Sequence, residues 1–495
     1  MSKNLLVTLS ILSLHTKICF SQTPFFNVKY QLETGTYFST SGQTPFWLRS
    51  NQYGVVPLES QFVTFRGSAH REYDSTKNKN QKLKKFSYGY GAWGVVNVGK
   101  INQIILPEAY IKVRYGAFEF YGGRRREVVG LVDTMLTSGS YIWSGNALPM
   151  PKIQISIPNY TSIIGHGLIS IKGSFAHGWF GNQTFTQNYF LHQKTLYGRI
   201  GKPHWKISLY SGFNHQVQWG GYSPALINDP YSSKNGFLPS DFNAFMNIAF
   251  PFPFIRKAFQ PKIKLNYDSD NYGGNQLGTL DFAGELKLEK LKILVYRQLP
   301  YDLGSLFTSF VNADDGLYGA SFKLYKPFLS INGITIEGFH SFNQGVYRSG
   351  IARLFNIRDK HFGELHSYLN HGQYIDGWSY KGLGIGTPLI LSNNQLSDKS
   401  YQNEYTFSAF NKVKSIYGAL EGKIAQFNYG IKVNYALYGR SGYVSNIVLL
   451  PQFSYILYTN FRIKNDYYIK FSQASDSGKM LNRSSSFSIS ILKNW

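Results

Sequence analysis

The sequence is poor in cysteine, in acidic side chains and in long apolar runs. Cys19 is the only cysteine of 495 residues, so the chain has no disulfide framework. After the first residues, no apolar run approaches the roughly 20 residues that a transmembrane helix needs. A disulfide-stapled fold and a bundle of membrane helices are both excluded.

Aromatic residues and glycine are abundant instead. The chain contains 37 Tyr, 38 Phe and 48 Gly, and charged residues make up only 16%. This composition is typical of many strands and turns rather than of helices. At about 150 residues per domain three domains would be expected, but large barrels do not follow that estimate.

Basic residues outnumber acidic ones, 51 to 27, and give a formal net charge of +24. Such a charge attracts anionic polymers. Nucleic acid is not an expected partner for a secreted chain, whereas an acidic polysaccharide or lipopolysaccharide is. Within a membrane barrel these side chains must line the lumen, the turns or the loops, because facing lipid is costly.

The N-terminus has the pattern of a secretory signal. Lys3 precedes an apolar region, Leu5–Leu14, and small residues allow cleavage after Ser21. We therefore expect residues 1–21 to be a signal peptide and residues 22–495 to form a single outer-membrane β-barrel domain. That domain contains no cysteine and needs no disulfide in an oxidising compartment.

Alternation of apolar and polar residues recurs along the chain. It is clear in 152–157 (KIQISI), 205–210 (WKISLY) and 430–435 (GIKVNY). The last strand-like stretch alternates Phe487, Ile489 and Ile491 with serines and ends at Trp495, like the assembly signal of outer-membrane barrels. The pattern predicts an all-β transmembrane outer-membrane barrel of a Gram-negative bacterium. Allowing roughly 20–30 residues per strand gives about 16 to 22 antiparallel strands.

Motifs for catalysis or metal binding are weak. His361, His366 and His371 have spacings that suit neither one strand face nor one helix face. The chain has no G-x-S-x-G motif, and no carboxylate pair stands out. We expect no metal, no cofactor and no enzymatic activity, although an outer-membrane enzyme remains an open alternative.

Three stretches combine aromatic rings with amides, glycines or a guanidinium: 41–60, 214–222 and 370–380. Rings can stack on sugar C–H patches, and amides can bind hydroxyls. The candidate stacking and hydrogen-bonding residues are His215, Trp219, Tyr222, Tyr374 and Trp378. Arg124, Arg125 and Arg126 are the candidate partners of an acidic glycan. The alternatives are an aromatic girdle with turn glycines and, for the arginines, salt bridges inside the lumen.

Four stretches resemble the Wzi capsule-assembly family in its Bacteroidetes-type form: 44–54 (TPFWLRSNQYG), 130–149 (GLVDTMLTSGSYIWSGNALP), 215–221 (HQVQWGG) and 377–389 (GWSYKGLGIGTPL). The resemblance implies an 18-stranded outer-membrane barrel acting as a lectin, which holds exported capsular polysaccharide at the cell surface. The expected partners are this polysaccharide, outer-membrane lipid and the barrel assembly machinery during insertion. A porin or substrate-selective channel is the alternative function.

Enterobacterial relatives in this family carry a helical bundle before the first strand, for which Thr23–Tyr37 leaves no room here. The plug would then consist of inward-folded loops, with 41–60 and 126–150 as the candidates. Phe46, Trp47, Arg49 and Asn51 are the predicted plug residues, in which Trp47 fills space while Arg49 and Asn51 satisfy buried polar groups. Direct contact of this stretch with a glycan is the alternative.

Overall fold

The structure is a computed structural model. It describes residues 28–74, 85–271, 273–302, 312–345, 353–356, 366–403, 405–442 and 447–495. The predicted signal peptide, 1–21, and His361 lie outside the described residues.

Eighteen antiparallel strands form one closed sheet, in which each strand pairs with its neighbours along the chain. The first strand also pairs with the last, from Gln31↔Asn494 to Ser39↔Ser486, and this closes the barrel. Closure leaves no free sheet edge. The predicted fold class is confirmed. The barrel strands are β1 (Val28–Ser39), β2 (Phe62–Arg71), β3 (Phe86–Gly99), β4 (Gln103–Tyr115), β5 (Phe118–Arg124), β6 (Lys152–Ile164), β7 (Ile169–Gly181), β8 (Tyr189–Ile200), β9 (Ile207–Trp219), β10 (Asn275–Lys287), β11 (Leu291–Asp302), β12 (Gly316–Phe328), β13 (Ile331–His340), β16 (Lys412–Ile424), β17 (Phe427–Gly439), β18 (Leu450–Arg462), β19 (Tyr467–Gly478) and β20 (Ser484–Asn494). Two short strands, β14 (Ser379–Tyr380) and β15 (Leu383–Gly384), form a separate hairpin.

The wall alternates between an apolar outer face and a mainly polar inner face. On β6, Ile153 and Ile155 are exposed on the outside, while Lys152 and Gln154 are buried inside. On β20, Phe487 and Ile489 face outward, while Ser484 and Ser486 are buried. An outward apolar belt around a polar inner face is the architecture of outer-membrane β-barrels.

The two ends of the barrel differ in their connections. The turn end, where β1 begins and β20 ends, has eight connections. Seven of them are short turns, 116–117, 165–168, 201–206, 288–290, 329–330, 425–426 and 463–466, and the eighth is the longer connection 72–85. At the loop end lie the four longest connections, 40–61, 125–151, 220–274 and 341–411. Seven of the eight turn-end connections thus add little chain beyond the strands, whereas the four longest connections of the barrel all lie at the loop end.

Short helices occur in three of these loops. They are α1 (Phe46–Arg49), α2 (Phe242–Ala249), α3 (Pro253–Ala258) and α4 (Asn266–Asn271), with 3₁₀ turns at Pro224–Leu226, Asn393–Gln395 and Lys399–Tyr401. None of the helices in the described part of the chain is long and apolar enough to cross a membrane.

The lumen is filled by chain from the loop end. Segments 44–58, 125–151 and 366–411, here called the plug, pack their apolar side chains against inward-facing strand residues in one large cluster. Trp47 and Tyr141 of the plug belong to this cluster, as do Leu317 and Tyr417 of the wall. The predicted filling of the lumen by inward-folded loops is confirmed.

Candidate functional site

The first plug segment is fixed to the wall by α1. The amide of Phe46 donates to Oδ2 of Asp476 on β19 (2.8 Å), and the indole of Trp47 donates to Oδ1 of Asn434 on β17 (2.7 Å). Both aromatic side chains are almost fully buried. Trp47 thus fills space inside the barrel, where its one polar atom has a partner.

The two polar residues of this segment have internal roles. Arg49 is buried and its Nε donates to the carbonyl of Thr44 (3.2 Å). Burial lowers the pKa of Arg49 to about 10, and the negative charge of Asp476 opposes the shift. Asn51 donates from Nδ2 to the carbonyl of Ser138 (2.9 Å), which links the first plug segment to the second. Of the four predicted plug residues, Phe46, Trp47 and Arg49 are thus buried inside the barrel, and the half-buried Asn51 bonds to the second plug segment.

The second plug segment is held by two buried carboxylates of the wall. Glu337 on β13 accepts hydrogen bonds from the hydroxyl of Thr137 (2.6 Å) and the amide of Ser138 (2.7 Å). Asp281 on β10 accepts from the amide of Leu131 (2.9 Å). Buried carboxylates are tolerated where hydrogen bonds satisfy them, so these contacts fix the path of 125–151 across the lumen.

The third plug segment packs on the second. Trp378 has no exposed surface, and its indole donates to the carbonyl of Ile142 (2.8 Å). Asp376 accepts from the amides of Thr184, Phe185 and Thr186, at 2.9–3.0 Å, and so fixes the loop between β7 and β8. Burial raises the pKa of Asp376, and these three amides oppose the shift.

The three predicted arginines lie where β5 ends, at Arg124, and the second plug segment begins. Arg125 forms ion pairs with Glu119 (2.7 Å) and Glu127 (3.0 Å), and Arg126 pairs with Glu108 (2.8 Å). Arg124 instead donates to the hydroxyl of Tyr380 (3.2 Å). Arg125 and Arg126 therefore take the alternative role, lumenal salt bridges, and their charge is largely compensated.

Glu127 sits at the centre of this ion-pair network. Besides Arg125 it contacts the amine of Lys152 at 2.6 Å, in a buried site. Burial acts to raise the pKa of Glu127, but the attraction of Lys152 and Arg125 outweighs it and holds the pKa below its ordinary value. The site is a charged anchor of the plug, in which Arg125, Arg126 and Lys152 are each paired with a carboxylate.

Two of the predicted sugar-stacking residues lie on the outer wall and are covered. Trp219 is only 4% exposed, with its ring centroid 4.9 Å from that of Phe190 and 5.8 Å from that of Phe245 in α2. His215 is buried, and its Nδ1 lies 2.8 Å from the hydroxyl of Tyr301. The prediction that Trp219 and His215 stack on sugar is wrong, because both side chains are buried: Phe245 of the loop 220–274 packs on Trp219, and His215 lies against Tyr301 of β11.

Two further predicted stacking residues are in the plug. Tyr374 is 1% exposed and donates from its hydroxyl to the carbonyl of Gly220 (3.3 Å). Trp378 is enclosed as described above. These two predictions fail for the same reason: the rings join the apolar cluster and their polar atoms bond to backbone, so neither is accessible to a polymer.

Tyr222 keeps partial exposure. Its backbone pairs with Gln187 at 2.8–2.9 Å, and its ring centroid lies 4.8 Å from that of Phe237, which is itself exposed. Of the five predicted contact residues, Tyr222 is thus the one whose ring remains at the surface, and a role in glycan binding stays a prediction for it.

Other exposed rings and cations at the loop end were missed by sequence reasoning. Tyr231 (44% exposed) and Tyr405 (71% exposed) lie in the loops 220–274 and 341–411. Exposed basic residues accompany them on the loops of this end: Lys234, Lys381, Lys399, Arg440, Lys479 and Arg483. We call these rings and cations, together with Tyr222, the loop-end surface. Isolated Tyr and Lys residues in loops carry no sequence pattern that separates them from ordinary surface.

A polar cavity of about 200 Å³ lies inside the barrel between the plug and the turn end. Gln52 and Tyr53 of the plug border it, and the wall lines it with Gln31, Glu33, Arg66, Ser68 and Lys470. Arg66 and Lys470 approach Glu33 to 3.9 Å and 2.9 Å, respectively. The cavity is therefore a charged space that suits water or a small polar solute.

No metal site is found in the part of the chain that the structure describes. There, no three His, Cys, Asp or Glu side chains are grouped to hold an ion. His366 and His371 have other contacts: His366 Nδ1 lies 2.9 Å from Nδ2 of Asn312, and His371 Nε2 lies 3.3 Å from the hydroxyl of Tyr267.

The architecture defines an outer-membrane β-barrel with a filled lumen. Models of protein families give no match to this chain, and neither do curated proteins. Solved structures with a similar fold include OpdQ of Pseudomonas aeruginosa (9% identity, TM-score 0.45, covering 95% of this chain and 99% of that one). The outer membrane protein OprD of P. aeruginosa (10%, 0.41, 94% and 92%) and OmpT, an outer membrane protein of Vibrio cholerae (8%, 0.36, 95% and 97%), are also similar. Similarity this weak does not bear on function.

Proposed function

We propose that this protein anchors exported capsular polysaccharide at the cell surface, without catalysis, as the resemblance to the Wzi family implies. The observation that supports this function best is the packed plug. A lumen crossed by three interlocked segments, with Trp47, Tyr141 and Trp378 at most 3% exposed, suits a binding surface better than a wide pore.

The proposed orientation puts the loop end outside the cell. Barrels of this class have short periplasmic turns and longer extracellular loops. Seven of the eight connections at the turn end run from two to six residues, whereas those at the loop end include 220–274 and 341–411. The exposed rings and cations of the loop-end surface then face the medium.

Weak contacts repeated along a polymer would supply retention without a deep pocket. The loop-end surface offers Tyr222, Tyr231 and Tyr405 for stacking on sugar rings and lysines for acidic groups. Because linked weak sites multiply affinity, a repeating polysaccharide can be held by contacts that would be too weak for a monosaccharide.

The test is deletion of the gene in its own host, followed by measurement of capsular polysaccharide on cells and in the medium. The expected result is an unchanged total with a shift into the medium. Re-expression of the chain should restore attachment, and re-expression of a Tyr222→Ala, Tyr231→Ala, Tyr405→Ala variant should restore it only in part. Unchanged attachment after deletion would contradict the proposal.

A second candidate function is a substrate-selective channel or porin. The polar cavity below the plug favours it, since Arg66 and Lys470 give that space a charged lining. Ion conductance of the purified barrel in planar bilayers separates the two functions. Steady single-channel conductance comparable with that of an open porin would favour the channel, and its absence favours the anchor.

A further inference from the structure

A helical segment from the loop 220–274 lies on the outer wall of the barrel. This outer helical segment, Phe242–Lys264, includes α2 and α3. Its 23 residues contain six Phe, four Lys or Arg and no acidic residue. Aromatic residues combined with one sign of charge are typical of chain that lies in a membrane interface.

The segment is seated on strands β7–β9. Lys194 on β8 donates to the carbonyls of Ile248 (3.1 Å) and Ala249 (3.0 Å) in the last turn of α2. The Phe245 ring lies 5.8 Å from His177 and 5.9 Å from His192, measured between ring centroids.

These contacts are on the lipid-facing side of the wall. Lys194 and His192 share their strand face with Leu196, which is 47% exposed in the apolar belt. An uncovered amine at this place would face hydrocarbon at high cost. The outer helical segment removes that cost, and in doing so it becomes part of the barrel's outer surface.

The surface that the segment presents outward is strongly apolar. Phe242, Phe252 and Phe254 are 66%, 53% and 68% exposed, and the rings of Phe252 and Phe254 are nearly parallel, with centroids 5.6 Å apart. Trp179 on β7, 40% exposed, continues the apolar surface onto the wall. The exposed rings therefore extend the belt that already contacts lipid.

Cations follow directly after these rings. Arg256 and Lys257 end α3, and Lys262 and Lys264 come next. A cavity of about 380 Å³ opens between the segment and the ends of β9 and β10; its lining includes Trp219, Asn247, Arg256, Lys257, Lys264 and Asp268. Rings directed to acyl chains, with cations beside them, match a lipid whose headgroup carries phosphate.

We propose that the outer helical segment binds phosphate-bearing lipid of the leaflet at the loop end. Phe252 and Phe254 insert among acyl chains, while Arg256, Lys257 and Lys264 contact the phosphate. The site fixes the height of the barrel in the membrane and holds the 220–274 loop against the wall. It depends on the membrane class of the barrel and is independent of polysaccharide binding.

The first test locates the rings. In a Cys19→Ser background, Phe254→Cys carries one environment-sensitive fluorophore, and Tyr405→Cys, similarly exposed in another loop, is the matched control. The full chain is reconstituted in vesicles of phosphatidylcholine and phosphatidic acid. We expect a nitroxide on the lipid acyl chain to quench the label at 254 and aqueous iodide to spare it, with the reverse at 405. Equal iodide quenching at both positions would overturn the proposal.

The second test concerns the phosphate. Quenching of the label at 254 by nitroxide-labelled phosphatidic acid is compared with quenching by nitroxide-labelled phosphatidylcholine. We expect a preference for phosphatidic acid that is lost in Arg256→Gln, Lys257→Gln, Lys264→Gln and kept in the control Lys234→Gln, Lys381→Gln, Lys399→Gln. No preference in the parent chain, or a preference that survives the first triple change, would refute the phosphate contact.

Two controls keep these outcomes interpretable. Folding of every variant is verified by heat-modifiable migration in gels. If the triple variant does not fold, Lys257→Gln alone replaces it. This single change is expected to cause a partial loss of the preference for phosphatidic acid. Disulfide-linked dimers of Phe254→Cys formed within the membrane would show that a second copy of the chain occupies this surface, and would overturn the lipid assignment.

Discussion

The indole nitrogen of Trp47 donates a hydrogen bond to Oδ1 of Asn434, 2.7 Å away, across a separation of 387 residues in the chain. Trp47 belongs to the plug and Asn434 to the wall, and both are buried. The bond therefore joins the first inward-folded loop to β17, a strand near the C-terminal end of the chain. Because of it, the plug keeps its position only while this part of the wall is folded.

Trp47→Ala should destabilise the barrel. Removing a buried indole leaves a cavity and an unpaired amide oxygen, which together cost about 3–5 kcal/mol. Trp47→Phe keeps most of the volume and should cost about 1–3 kcal/mol, from the unpaired Asn434 oxygen. Urea unfolding in detergent micelles, followed by circular dichroism, measures both. Tyr405→Ala is the exposed control, and a loss there as large as that of Trp47→Ala would contradict the assigned role.

Glu337→Gln should loosen the second plug segment. An amide in place of the carboxylate loses one acceptor oxygen and leaves a donor of Thr137 or Ser138 unpaired, at a cost of about 1–3 kcal/mol. We expect higher or more frequent current steps in planar bilayers than for the parent chain. Glu289→Gln, in an exposed turn at the turn end, should leave the current unchanged. Equal currents for all three proteins would argue against Glu337 as an anchor.

Acidification should weaken the third plug segment through His371. Burial lowers the pKa of His371 to about 3, whereas an unfolded histidine titrates near 6.5. Between these values the unfolded chain binds a proton that the folded chain does not, so stability falls as the pH drops from about 6.5 to about 3.

His371→Gln should remove part of that dependence. Urea midpoints of the parent chain and the variant, measured across this pH range, give the difference. His166→Asn, in the exposed turn 165–168, is the matched control and should retain the parent's pH profile. A profile unchanged by His371→Gln would mean that other groups carry the effect.

Substitution of Arg125 should lower the stability of the barrel, whereas substitution of its neighbour Arg124 should not. Arg125→Gln leaves the charges of Glu119 and Glu127 poorly compensated, and removing one partner of such pairs costs about 3 kcal/mol or more. Arg124 has no ion-pair partner among the described residues, so Arg124→Gln should leave stability almost unchanged. If an acidic glycan uses this arginine, the same variant retains less polymer on cells. Heat-modifiable migration and cell-associated polysaccharide are the two measurements; equal stability of both variants would contradict the network described for Arg125.

The strands of the wall were predictable because the alternation of apolar and polar residues along a strand is a local pattern. Alternation in 152–157 identifies Ile153 and Ile155 as outward residues from neighbours alone, and the structure agrees. The plug was predictable in part for a similar reason, since Phe46 and Trp47 beside polar residues fit neither a strand nor a solvent loop. Their partners, Asp476 and Asn434, carry no such mark in the sequence.

The outer surface of the barrel was less predictable, because the two-residue alternation along a strand identifies its outward face but not the loop residues that cover this face. Trp219 beside two glycines suggests an accessible ring at a strand end. Its burial depends on Phe245, which comes from a different part of the chain and is brought there by α2. Trp378 is a similar case, because its partner Ile142 lies 236 residues away. Contacts of this kind arise from tertiary packing and leave no local signal.

The hydrogen bond from Phe46 to Asp476 also constrains the order of assembly. The two residues are 430 positions apart, and Asp476 lies on the penultimate strand. Although 44–58 precedes seventeen of the strands, its anchor on the wall exists only after β19 has taken its place. The first loop of the chain is thus among the last parts to reach its final position, and until then its Phe46 and Trp47 rings must be kept from other partners.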